Sequence, residues 1–171
     1  MDPSVESVRN WFNRIYLGGI PQLMTNDTAF LSFICTLTAI EALAGYRYAG
    51  SDDKPGPGAR FRDFVQNYFT NEYSVLADDL WNFRKGMIHG FCPRRFALTQ
   101  HQSHLHLRST TSGGIVLNAE DFYAALLHAS KRYFNELESS AELQATCEAR
   151  IRSPHGGGIG VGPIEVSQGV A

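Results

Sequence analysis

"LWNFRKGMIHGFCP", residues 80–93, holds the last turns of a helix and the signal that stops it. At about 100° per residue, Leu80, Phe83 and Met87 fall together, with Leu76 one turn earlier. That grouping marks a core-facing helix running from about Tyr73 or Ser74. Gly90 stands where a left-handed residue closes a helix, and Pro93 blocks its resumption. Beyond Pro93 the period shortens: "FALTQHQSHLHLRSTTSGGIVLN" (96–118) alternates like strands around a turn at Ser112-Gly113-Gly114. The spacing therefore predicts helices before this point and a small β-hairpin, about 96–117, after it.

Upstream, Asp2 and Pro3 suit the cap and first turn of a helix that Gly18-Gly19 would end near Leu17. Asn26-Asp27-Thr28 opens a second helix to about Tyr48, with Phe30, Ile34, Leu37, Ala44 and Tyr48 at helical spacing. "SDDKPGPGA" (51–59) reads as a loop, and a third helix follows with Phe61, Phe64, Val65 and Tyr68 on one side. Downstream, Asn118 is placed to cap a fifth helix whose first turn carries Glu120 and Asp121, and whose stripe is Phe122, Leu126, Ala129, Tyr133 and Leu137. A short sixth helix covers about 140–151. The expectation is a mainly α fold: a bundle of five to six helices with the hairpin inserted before the last long helix. It forms one domain over 1–152, followed by a flexible glycine-rich tail over 153–171.

Composition narrows the class. Hydrophobic residues make up 43% of the 171 and charged residues 19%, which suits one globular domain with a sizeable core. Lysine and arginine number 15 against 17 acidic residues, for a net charge of −2. A protein that coats nucleic acid is usually basic throughout, so any such contact here is a local site. Lysine is scarce (Lys54, Lys85 and Lys131) and arginine supplies the rest. Cys35, Cys92 and Cys147 are too scattered for a disulfide framework, and the N-terminus lacks a signal-peptide pattern, so a cytoplasmic setting is expected. "FLSFICTLTAIEALAGY" (30–46) carries Glu41 and reads as a buried core helix, not a membrane span. No GxxxxGK[ST], HExxH or GxSxG sequence is present, nor a GxGxxG placed after a strand.

Arg84 and His89 flank the C-terminal end of the fourth helix about 140° apart, with Trp81 and Ile88 between them and Asn82, Lys85 and Asp78 on His89's side. Two apolar side chains outside the core stripe call for a second partner, either the hairpin or another copy of the helix. One reading makes the pair functional. The other has Arg84 meeting a surface carboxylate and His89 favouring a helix C-terminus. Glu41 has two readings as well: it holds Arg84 or another site cation, or it pairs locally with Arg47 or with an arginine of the third helix. His104 and His106, with His101, have the spacing of a partial zinc site, but no cysteine or carboxylate completes it, so neither metal nor cofactor is expected. Arg94, Arg95 and Arg108 are minor candidates for contacts to an RNA backbone.

"LWNFRKGMIHGF" resembles the R-x4-H signature of the HEPN superfamily. The helix "AFLSFICTLTAIEALAGYRY", the "RFRDFVQNYF" helix and the "LHL" hairpin are similar to one bacterial branch, so the resemblance covers about residues 25–140. It implies a bundle that dimerises with its motifs facing, here through the 74–90 helix. In many members it also implies a metal-independent endoribonuclease, found in toxin–antitoxin and defence systems, with an antitoxin protein as a further partner. By position the catalytic pair is Arg84 and His89. Lys85 and Asn82 are the expected substrate contacts and Glu41 the expected support. Lys85 departs from the small polar residue common at its position, which leaves open a non-catalytic module that binds RNA, a nucleotide or a partner protein.

Overall fold

A computed structural model describes residues 4–48 and 55–153. The expected cap at Asp2-Pro3, residues 51–54 of the expected loop and the tail from 154 onward lie outside the described residues. The elements are α1 (Val5–Phe12), α2 (Ala29–Tyr46), α3 (Pro57–Tyr68), α4 (Asn71–Ser74), α5 (Ala77–Gly90), β1 (Phe96–Thr99), β2 (Ile115–Asn118), α6 (Ala119–Ser139) and α7 (Ala141–Arg152). The fold is mainly α, with its small sheet set before the last long helices.

Ser4 caps α1 in a reciprocal box with Ser7, so the cap lies two residues beyond the expected Asp2. Gly18 and Gly19 do not end the helix. Both keep right-handed helical dihedrals, and the chain passes from one wide π-turn (Asn13–Leu17) into a 3-10 turn (Ile20–Leu23). Pro57 begins α3 inside the stretch expected as loop, because its fixed φ suits a first helical turn. Arg132 of α6 donates to the main-chain oxygens of Asn67, Tyr68 and Phe69, satisfying carbonyls at the C-terminal end of α3.

The stripes expected on α3, α5 and α6 form the core. Phe61, Phe64 and Val65 of α3 and Leu80, Phe83 and Met87 of α5 are all buried, and so are all five positions of the α6 stripe. Each large apolar side chain so buried contributes about 1.5–3 kcal/mol. Helix α2 runs centrally, against α3, α5, α6 and α7. By length and composition alone it could cross a membrane. Its deepest face is Phe33, Leu37, Ile40, Leu43 and Ala44, while Phe30, Ile34 and Glu41 on the expected stripe are only half-buried. A helix apolar on nearly all sides conceals its deepest face from periodicity.

The sheet corrects the expected hairpin. β1 and β2 pair in parallel, from Phe96 opposite Ile115 to Thr99 opposite Asn118. The antiparallel turn is shorter: Leu107 donates to the Val116 oxygen at 2.8 Å, Val116 to the Arg108 oxygen at 2.9 Å, and Thr110 to the Gly114 oxygen at 2.8 Å. Gly113 (φ +82°) supplies its left-handed corner. Between Thr99 and Leu107 the polar run through His101 (φ +58°) and a 3-10 turn (Ser103–Leu105) reverses the chain, so β2 is flanked on both sides.

Candidate functional site

Arg84 lies on the α2-facing side of α5. Its Nε donates to Glu41 Oε2 at 2.6 Å, and the two side chains are only 23% and 25% exposed. The guanidinium also lies over the Trp81 ring, 5.6 Å from its centroid, with Lys85 Nζ 6.0 Å from the same ring. Of the two readings for Glu41, the structure selects Arg84 as partner; Arg47 pairs with Asp63 instead. The two terminal nitrogens of Arg84 make no hydrogen bond to any described residue. One edge of the guanidinium is therefore fixed and the other remains available.

Trp81 finds its partner within the chain. It packs on Phe61, and a Cβ added at Gly58 would come within 2.7 Å of its indole. Ile88 does not: it is 47% exposed. Further along the same edge Phe91 (73% exposed) meets Phe30, so α5 runs antiparallel to α2. Leu31 is also exposed.

The end of α5 differs from the expected glycine stop. Gly90 is the last helical residue, and Phe91 takes the left-handed position (φ 48°). The Phe91 and Cys92 N–H groups then both donate back to the Gly86 oxygen, the second at 3.0 Å, which wraps the chain over the helix end. Gly86 permits this: a Cβ there would lie 2.2 Å from the Cys92 oxygen and 2.9 Å from Arg94 Cγ. The chain folds back onto the helix and brings Arg94 and Arg95 beside Asp79, Asn82 and Lys85 around an open depression of about 320 Å³.

His89 is exposed on the side of the helix that carries Asn82 and Lys85. Structure thus brings together Arg84 with Glu41, and separately Asn82 with Lys85. It does not bring Arg84 and His89 together within one chain, because the helix stays regular through Gly86 and keeps them on separate faces. Arg94, Arg95 and Asp79 join the second group; the dibasic pair after Pro93 was its only sequence signal.

Two other histidines, His106 and His101, have structural contacts. His106 Nδ1 accepts from the Asn118 N–H at 3.0 Å, and its Nε2 meets Tyr73 Oη at 2.7 Å. Burial holds its pKa below the ordinary value, against the pull of Asp121 and Glu72. His104 is exposed in the 3-10 turn, so the H-x-H pair does not share a strand face. Asn118 stands at the α6 cap position, but its side chain bonds Gln102 N–H and Asp121. His101 pairs with Glu120 at 2.7 Å, and Arg108 donates to the His104 oxygen, away from the depression. Comparison with protein-family models, with curated proteins and with solved structures finds no match to this chain.

Proposed function

We propose that this chain is a HEPN-like, metal-independent endoribonuclease acting as a homodimer, of the kind that serves as a toxin or defence effector. One observation carries the reading: Arg84 is held on one edge by Glu41 and Trp81, with no described residue hydrogen-bonded to its terminal nitrogens, one turn from exposed Ile88. An arginine fixed on one edge and open on the other suits a phosphate, whose oxygens match the guanidinium fork. One chain supplies this cation and one solvent-facing histidine on different faces. A second copy packed two-fold across the Ile88 strip brings Arg84 and His89 of opposite chains to one seam and provides two histidines.

The chemistry needs no further group. The RNA 2′-oxygen attacks the adjacent phosphorus, giving its proton to one His89. Arg84 stabilises the charge on the phosphorane oxygens. The bond from phosphorus to the 5′-oxygen then breaks, and the other His89 protonates that oxygen. Imidazole can both accept and donate a proton near neutral pH, which suits both transfers. The products are a 2′,3′-cyclic phosphate and a 5′-hydroxyl.

A second reading, a non-catalytic RNA- or nucleotide-binding module, draws on the Glu41 contact, which offsets part of the charge on Arg84. Cleavage assays joined to sizing distinguish the two. The ribonuclease reading expects Ile88→Glu to give a folded monomer without cleavage activity. A variant that stays dimeric, or a monomer that cleaves as well as the parent, overturns the seam.

A further inference from the structure

We propose that the depression between α5 and the 92–95 turn is an anion subsite for a backbone phosphate of the RNA strand, next to the one that reacts. The proposal rests on the ribonuclease reading for the identity of its ligand. Its walls are Asp79, Asn82, Lys85, Arg94 and Arg95, three cations against one carboxylate, in a chain whose net charge is −2. That local excess is the reverse of the whole chain's balance, and mutual repulsion of the three cations is relieved when an anion sits among them.

The convergence is built by the backbone. Arg94 occupies the left-handed region (φ 57°), which a residue with a Cβ adopts at a cost of about 1–2 kcal/mol. Its stem lies on Gly86, where any larger residue would push the turn away. Asp79 accepts from Arg95 Nη1 at 2.6 Å and so orients that guanidinium on the rim. Asn82 adds a neutral donor one turn from Lys85. Lys85 precedes His89 by one helical turn on the same side, so a strand whose reacting phosphate sits at His89 reaches the depression without crossing the helix.

The test uses the full chain carrying His89→Ala, in EDTA, with a short fluorescent oligoribonucleotide followed by anisotropy across a salt series. Lys85→Gln, Arg94→Gln and Arg95→Gln are each added; glutamine keeps the stems, and a thermal melt confirms folding. Lys131→Gln, at an exposed position of α6, removes an equal charge elsewhere. Each of the first three is expected to weaken binding several-fold and to lessen the slope of log K against log salt by about 0.7, the value for one single-strand phosphate contact. Lys131→Gln should leave both unchanged. If the parent binds and the three variants bind equally well, or if Lys131→Gln weakens binding as much as they do, the subsite is overturned while the ribonuclease reading stands. Displacement by a mononucleotide as effective as that by unlabelled RNA overturns the backbone assignment in favour of a free nucleotide. Absence of RNA binding by every protein at low salt overturns both readings.

Discussion

Glu41 of α2 and Arg84 of α5 meet at 2.6 Å at a partly shielded edge of the bundle, with Trp81 beneath the guanidinium. Because Glu41 bonds Nε alone, it sets the direction of Arg84 while the terminal nitrogens make no hydrogen bond to any described residue. It is a positioning residue for the proposed reaction.

Glu41→Gln should therefore separate stability from activity. A partly exposed pair of this kind contributes about 1 kcal/mol or less, so urea unfolding should shift modestly. Misplacing the guanidinium should lower kcat about 10- to 100-fold with KM nearly unchanged. Equal kcat for the variant and the parent would remove Glu41 from the mechanism.

Gly86→Ala tests the fold-back of the 91–95 turn. The new methyl would lie 2.2 Å from the Cys92 oxygen, a main-chain atom that cannot turn aside. The turn must move, at a cost of about 1–3 kcal/mol, carrying Arg94 and Arg95 off the helix. Thermal unfolding measures the first effect and oligoribonucleotide anisotropy the second. An unchanged melting temperature would show that the close approach is not maintained in solution.

His106 should make the protein less stable as pH falls. Its Nδ1 accepts the Asn118 N–H and must stay unprotonated to do so, and its folded pKa lies below the unfolded value of about 6.5. The unfolded chain therefore takes up the proton first. This contribution is complete above about pH 6.5 and is lost as pH falls toward the folded pKa. Asp121 and Glu72 oppose the depression and narrow the window. His106→Asn keeps an acceptor for Asn118 without titrating, so its stability gap from the parent should narrow between about pH 7 and pH 5.5. A constant gap would contradict the assignment.

The stripes of α3, α5 and α6 could be read from the chain because each helix buries one apolar stripe and carries charged residues on its exposed positions. Helix α2 could not be read so finely: it is apolar around most of its circumference, and Glu41's partner lies 43 positions away on another element. Strand alternation carries no direction, so the parallel pairing of Phe96 with Ile115 was illegible. Gly90 had the right chemistry for a left-handed stop, yet Phe91 holds that position, packed against Phe30 and closed by the Cys92–Gly86 hydrogen bond. The basic depression depends on that same closure, which places two arginines after a proline over a helix they do not belong to.

Incubating the purified chain with mixed RNA in EDTA, beside Arg84→Ala and His89→Ala, and mapping the product ends tests the central claim most directly. Cleavage leaving 2′,3′-cyclic phosphate and 5′-hydroxyl ends, lost in both variants, is the predicted result. A folded dimer that leaves RNA intact, or cleavage that persists in either variant, would contradict it.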